Sequence, residues 1–279
     1  MPIAPTVSVV VPALNEAANL PFVLPRIPSD VHEVILVDGH STDDTVAVAR
    51  ALLPSIRIVP QQGRGKGAAL RTGFAAARGD IIVMLDSDGS TAPEEIPAFV
   101  NALVGGADFV KGSRFLSGGG TADMPYYRKL GNFVFVALVR LLFGGRYTDL
   151  CYGYNAFWRR VVPVLALDGD GFEIETMMNV RALRAGLRVG EVPSFESRRI
   201  HGESNLRTIP DGWRVLKTIF KERFSSPRSA PAAHSNLVAI SVASSVVALP
   251  IEDAYASDGW GEPAWAEGGS ASPEALIAR

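Results

Sequence analysis

Ile81-Ile82-Val83-Met84-Leu85-Asp86-Ser87-Asp88 is the stretch on which the reading of the fold turns. Five consecutive apolar residues read as a short strand buried on both faces, and two carboxylates spaced two apart follow at its end. Side chains alternate along extended backbone, so Asp86 and Asp88 lean toward one side, and Gly89 lets the chain turn sharply after them. Hard oxygen ligands of this kind favour Mg2+ or Mn2+. Mg2+ usually keeps waters and shares its shell with substrate phosphates, which points to a nucleotide or a nucleotide-sugar diphosphate. A solvated acidic turn capping the helix expected near Pro93 is the competing reading of an isolated Asp-x-Asp.

Working outward, the run is one of four. Val7 to Val11, Glu33 to Val37, Ile56 to Val59 and Ile81 to Leu85 are β-rich and short, with Ala- and Leu-rich stretches at Asp43 to Leu53 and Gly67 to Ala77 between them. This alternation predicts an α/β fold: a central, mostly parallel sheet flanked by helices, with ligands held outside the carboxyl ends of the strands. The polar segments fall at those ends: Pro12-Ala13-Leu14-Asn15-Glu16, Asp38-Gly39-His40-Ser41-Thr42-Asp43 and Asp86-Ser87-Asp88. Further helices are expected over Pro125 to Phe143 and Glu173 to Ala185. The expected organisation is one domain over residues 1–224, with a donor half at about 7–115 and an acceptor half at about 116–224. A low-complexity tail, largely disordered, is expected over 225–279.

Composition narrows the function classes. With 279 residues and 47% hydrophobic side chains the chain can bury a large core. Its 27 basic and 29 acidic residues give no overall basic charge of the kind that marks nucleic-acid binding. The single cysteine, Cys151, excludes an internal disulfide framework and a multi-cysteine zinc site, and its expected role is packing. The first residues show no signal-peptide pattern, so a cytoplasmic location is expected, at the inner face of the membrane if the acceptor is a lipid. Asn132 to Phe143 is too short to span a bilayer and Arg140 interrupts it, so a buried or interfacial helix is expected there. Leu237 to Ile251, broken by three serines, is not expected to span either.

Pro12-Ala13-Leu14-Asn15-Glu16, Asp38-Gly39-His40-Ser41-Thr42-Asp43, Gly65-Lys66-Gly67-Ala68-Ala69-Leu70, Asp86-Ser87-Asp88 and Gly112-Ser113-Arg114-Phe115 resemble, in that order and spacing, the family 2 glycosyltransferases. Among them the polyprenyl- and dolichyl-phosphate sugar synthases are most similar. Each motif alone is weak, and five in order over Val7 to Leu206 are specific. The resemblance implies a GT-A glycosyltransferase fold, a nucleotide-diphosphate sugar donor (GDP-mannose or UDP-glucose type), Mg2+ or Mn2+, and inversion at the anomeric carbon. Transfer of one hexose to polyprenyl phosphate at a membrane surface is the leading expectation. Transfer to a soluble alcohol and a non-catalytic nucleotide-sugar-binding protein are the alternatives. The Gln-x-x-Arg-Trp pattern of processive synthases is absent.

The resemblance also distributes roles. Pro12, Asn15, Glu16, Asp38, Lys66, Asp86 and Ser87 form the expected donor-binding set, with Asn15 shaping its loop. Asp86, Asp88 and Ser90 are the expected metal-binding set, in which serine replaces a stronger third ligand. Arg114, Arg128, Arg199 and Ser204 are expected at the acceptor phosphate, because a guanidinium can bind two phosphate oxygens in parallel. Asp88 and Arg128 are placed in the catalytic set. Asp149 is placed there too, as the base that an alcohol acceptor would need, with Glu173 and Glu175 as further candidates of which at most one faces the sugar. Two departures stand out: Asn205 occupies the place of a lysine in Arg-x-x-Gly-x-Ser-Lys, and His201 is a neighbouring substitute or a simple loop residue.

Overall fold

The computed structural model of the chain describes residues 4–122, 124–203 and 207–225. Ser204, Asn205 and the tail beyond 225, with its apolar run and tryptophans, lie outside the described residues.

The strands are β1 (Val7–Ala13), β2 (Glu33–Asp38), β3 (Arg57–Pro60), β4 (Ile81–Met84), β5 (Phe109–Ser113), β6 (Gly120–Thr121), β7 (Asn155–Trp158), β8 (Val189–Pro193) and β9 (Phe195–Glu196). The helices are α1 (Thr45–Leu52), α2 (Lys66–Ala76), α3 (Ile96–Val104), α4 (Tyr126–Phe143), α5 (Val162–Leu165), α6 (Glu173–Arg184) and α7 (Thr208–Phe224). Seven strands form one sheet in the order β3-β2-β1-β4-β7-β5-β8, and β6 pairs with β9 apart from it. All neighbours in the large sheet run parallel except at β7, which lies antiparallel between β4 and β5. The expected donor and acceptor halves therefore share a sheet, since β7 and β8 from the second half complete it.

Alternation along the strands divides the core into two layers. Val9, Val11, Leu36, Val83 and Leu85 face one way onto Phe99 and Leu103 of α3. Val10, Ile35, Val37, Ile82 and Met84 face the other way onto Leu70 and Phe74 of α2 and Met178 of α6. This two-sided burial is what parallel strands covered by helices require. At Gly73 the helix α2 comes so close to the sheet that a Cβ would lie 2.3 Å from Val10 Cγ1 and 2.9 Å from Val37 Cγ2. A third cluster holds α4, α6 and α7 together through Val136, Val139, Val180, Val215 and Ile219.

The expected helix over Pro125 to Phe143 is α4, ending at Gly144 in the left-handed region (φ 74°), a common helix stop. It leaves Phe133 and Leu141 exposed. Among the described residues no helix is long and apolar enough to cross a membrane.

Candidate active site

A crevice of about 860 Å³ opens beyond the carboxyl ends of β1, β2 and β4, lined by Pro12, Glu16, Lys66, Asp86, Ser87 and Asp88 among others. Its placement follows from topology: β1, β2 and β4 lie side by side and parallel, so the segments leaving them emerge at one edge. Ser87 fastens the Asp86–Asp88 turn to the end of β1 by donating its hydroxyl to the Pro12 carbonyl at 2.8 Å. Gly89, at φ 79°, makes the turn, and a Cβ there would strike Ile200 at 2.6 Å.

Lys66, at the start of α2, sits between two carboxylates, with Nζ 2.7 Å from Asp86 Oδ1 and 2.7 Å from Glu175 Oε1. Burial works to lower the Lys66 pKa, and the charges of Asp86 and Glu175 override it, so the ammonium is held above its ordinary value. Burial raises the Asp86 pKa; Lys66 opposes the rise, while Asp88 and Glu175 add to it. Gly153 makes room for this cluster, because a Cβ there would lie 2.7 Å from Asp86 Oδ2 and 2.9 Å from Glu175 Oε1. Glu173 points elsewhere, accepting the amides of Asp170 and Gly171. Of the two glutamates only Glu175 reaches the cluster, in keeping with the expectation that their spacing divides them.

Asp88 Oδ1 accepts the Ser90 hydroxyl at 2.6 Å, and its Oδ2 lies 3.3 Å from Arg199 Nη1. The other arm of Arg199 reaches Glu16 Oε1 at 2.6 Å. Glu16 Oε2 accepts from Asn19, which also bonds the backbone of His201 in both directions. Four carboxylates, Glu16, Asp86, Asp88 and Glu175, thus meet two cations, Lys66 and Arg199. Two carboxylates for each cation leave this cluster with net negative charge, which suits a divalent cation. Among the described residues no three His, Cys, Asp or Glu side chains are grouped to hold a metal by themselves. The protein therefore offers Asp86 and Asp88, and the remaining ligands would come from Ser90, water or a diphosphate, as Mg2+ and Mn2+ sites commonly allow.

Several expected roles need correction. Asp149, expected as a base, is wholly buried and does not line the crevice. Its oxygens hold Arg114 at 2.6 Å (Nε) and 2.9 Å (Nη2), so it has neither access nor a free lone pair in the right place. Arg114, expected at the acceptor phosphate, gives Nη1 to both oxygens of Glu196 at 3.0 Å. Two carboxylates neutralise it, leaving little charge for a ligand. Arg199, expected at the acceptor phosphate, has its two arms on Glu16 and Asp88. Gly65 and Gly67 pack against the backbone of Gly169 and Asp170, where a Cβ on Gly65 would lie 2.3 Å from the Asp170 carbonyl and one on Gly67 2.4 Å from the Gly169 carbonyl. Cys151, expected to pack, is exposed and lines the crevice.

Other residues sit near their expected places with different partners. Asn15, at φ 57°, accepts the Thr42 amide and shapes the loop without lining the crevice. Asp38 accepts the Ser41 amide in a turn, and its neighbours Gly39 and His40 line the crevice instead. His201 contributes backbone bonds and a ring contact with Phe22. Arg128 lines the crevice, and among the described residues its hydrogen-bond contact is Nε to the Thr208 hydroxyl at 3.2 Å, with no partner there on its terminal nitrogens.

Sequence reasoning missed Gly153 and Lys111. Lys111 is fully buried, its Nζ bonded to the Tyr152 carbonyl, and burial lowers its pKa while Asp149 and Glu175 oppose the fall. An inward lysine within a β-strand is the signal that was there to find.

A mostly parallel sheet with an Asp-x-Asp turn at its carboxyl edge, beside a crevice in which Glu16, Asp86, Asp88 and Glu175 cluster, defines a glycosyltransferase of GT-A fold. The chain belongs to glycosyl transferase family 2, whose profile matches residues 8–164, more than half of its length. It is 31% identical over 227 residues to the polyprenol monophosphomannose synthase of Mycolicibacterium smegmatis, covering 76% of this chain and 84% of that one. It is 33% identical over 209 residues to the undecaprenyl-phosphate mannosyltransferase of Micrococcus luteus, covering 71% and 86%. The glucosyl-3-phosphoglycerate synthase of Mycobacterium tuberculosis, solved with Mn2+, UDP and phosphoglyceric acid, superposes with a TM-score of 0.63 at 26% identity, covering 79% of each chain.

Proposed function

We propose that this enzyme moves a single hexose from a GDP-mannose- or UDP-glucose-type donor to a polyprenyl phosphate, inverting the anomeric carbon. The observation that carries this reading is the state of the acids in the crevice. Among the described residues every carboxylate that lines it faces a cation: Glu16 and Asp88 face Arg199, Asp86 and Glu175 face Lys66, Glu196 faces Arg114 and Asp211 faces Arg214. None of them stands apart from a cation, as a base kept for an alcohol would. A phosphate monoester has its second pKa near about 6 and attacks without a base, needing instead a positive group to seat it. Arg128 supplies that group, lining the crevice with terminal nitrogens that have no partner among the described residues.

The surface around the crevice agrees with a lipid acceptor. α4 carries no acidic residue, and the two acids of α7, Asp211 and Glu222, are buried and paired. The exposed charges on both helices, such as Lys129, Arg140, Lys217 and Lys221, are basic and stand among exposed Phe133, Ile209, Trp213 and Phe224. A basic amphipathic face suits peripheral contact with an anionic bilayer, which would place the enzyme at the inner face of the membrane.

Asp86 and Asp88 would hold Mg2+ or Mn2+, which supplies charge stabilisation at the departing nucleoside diphosphate. The chain's own part is to fix those carboxylates through Lys66, Ser90 and Ser87, and to seat the acceptor at Arg128.

A soluble phosphorylated acceptor is the second reading, favoured by the likeness to the phosphoglycerate-using M. tuberculosis enzyme. Nucleoside diphosphate release from a panel of donors with Mn2+ or Mg2+, measured with a short polyprenyl phosphate, with 3-phosphoglycerate and with neither, separates the two. Release that depends on the lipid supports the proposal, and release that depends on phosphoglycerate alone replaces it.

A further inference from the structure

Arg199, placed by its motif at an acceptor phosphate, has other partners in the structure. Its Nη2 lies 2.6 Å from Glu16 Oε1 and its Nη1 3.3 Å from Asp88 Oδ2, so one guanidinium ties the turn after β4 to the loop after β1. The segment carrying it is fixed on both sides. Ser197 donates its amide to the Ser90 carbonyl at 2.9 Å, Ile200 to the Asp88 carbonyl at 3.3 Å and His201 to Asn19 Oδ1 at 2.9 Å. The Ile200 side chain fills the space over Gly89, and Arg199 Nε caps its own segment at the His201 carbonyl, 2.7 Å away. The arginine is therefore built into the wall, with its charge aimed at the oxygen of Asp88 that Ser90 leaves open.

We infer that Arg199 is a placeholder for the metal: it neutralises Asp88 while the donor is absent and must yield Asp88 Oδ2 when a divalent cation binds. This inference concerns the donor side of the crevice and does not depend on which acceptor is used. Its physical basis is competition. A cation approaching Asp86 and Asp88 meets a guanidinium already on one of its two carboxylates, and like charges disfavour each other in a partly buried site. Metal alone gains little by displacing the arginine. Metal accompanied by a nucleoside diphosphate brings negative charge that offsets the displaced guanidinium, so the two ligands bind best together.

The test measures Mn2+ binding to the full chain by the electron paramagnetic resonance of free Mn2+, without and with UDP or GDP, in wild type, Arg199→Lys and Arg199→Met. Loss of a partly buried ion pair predicts that Arg199→Met binds Mn2+ alone roughly threefold to tenfold more tightly than wild type. Arg199→Lys, which keeps the charge but cannot fork to both carboxylates, falls between them. With nucleoside diphosphate present the three should converge. Thermal melting checks folding, and if the methionine variant does not fold the lysine variant decides. Unchanged or weaker binding of Mn2+ alone in the folded variants would overturn the inference, because it would make Arg199 a residue that merely positions Asp88.

Discussion

Asp149→Asn separates a structural carboxylate from a catalytic base. Asp149 is 0% exposed and accepts four hydrogen bonds: from Arg114 Nε at 2.6 Å, Arg114 Nη2 at 2.9 Å, the Arg114 amide at 3.3 Å and the Cys151 amide at 3.2 Å. Asparagine keeps one acceptor oxygen and turns an NH2 group toward a guanidinium that is itself almost buried. Hydrogen bonds to charged groups contribute about 1.5–3 kcal/mol each, and removing one member of a buried pair costs about 3–5 kcal/mol. Glu196 remains as a partner for Arg114, so the lower end applies, about 3 kcal/mol. For a folded unit of this size that is a fall in Tm of roughly 6–12 °C. Urea and thermal melts measure it, and turnover is then compared at a temperature where both proteins are folded. The account predicts a large loss of stability with turnover retained in the folded fraction. A variant less than about 1 kcal/mol destabilised but inactive would refute it and restore Asp149 as the base.

Further tests address other parts of the account. Asp88→Asn should remove metal-dependent turnover while leaving Tm near wild type, since its side chain faces the crevice; steady-state donor turnover across a Mn2+ titration checks it. Arg128→Ala should raise the acceptor KM about tenfold or more and leave donor affinity unchanged, which initial rates against both substrates would show. Gly73→Ala should destabilise by about 1–3 kcal/mol in a urea melt, because the new methyl must displace Val10 or Val37. Burial alone would raise the Glu33 pKa, but the Ser8 hydroxyl, the Arg78 amide and Arg57 hold it below its ordinary 4.5. A depressed carboxylate pKa gives stability that is present above that value and lost as pH falls through the folded pKa. Glu33→Gln should accordingly be less stable than wild type at pH 7, with the gap closing in melts taken below about pH 4.

The sheet was legible because its strands are apolar on both faces and its helices are short and Ala-rich. The predicted runs at Val7, Glu33, Ile56 and Ile81 fall on β1 to β4, within a residue or two at most ends. The antiparallel β7 was not legible: Asn155-Ala156-Phe157-Trp158 is short, and its place between β4 and β5 follows from long-range pairing that no local pattern carries. The crevice was legible where residues follow strand ends, as at Glu16 and Asp86. It was not legible where a side chain's role depends on a distant partner. Arg114, Arg128 and Arg199 look alike as letters, and only the structure places Asp149 and Glu196 on the first, open space before the second, and Glu16 with Asp88 on the third. Gly65 and Gly67 carry the same lesson, since the backbone they admit lies about a hundred residues away at Asp170.

The central claim is that the hexose goes to a lipid phosphate. The most direct test supplies labelled GDP-mannose or UDP-glucose, Mn2+ and equal amounts of a short polyprenyl phosphate and 3-phosphoglycerate to one reaction. The products are then separated by organic extraction. The account predicts label in the organic phase as a polyprenyl-phosphate hexose that falls sharply in Arg128→Ala at subsaturating lipid. Label confined to a water-soluble glycoside would contradict it.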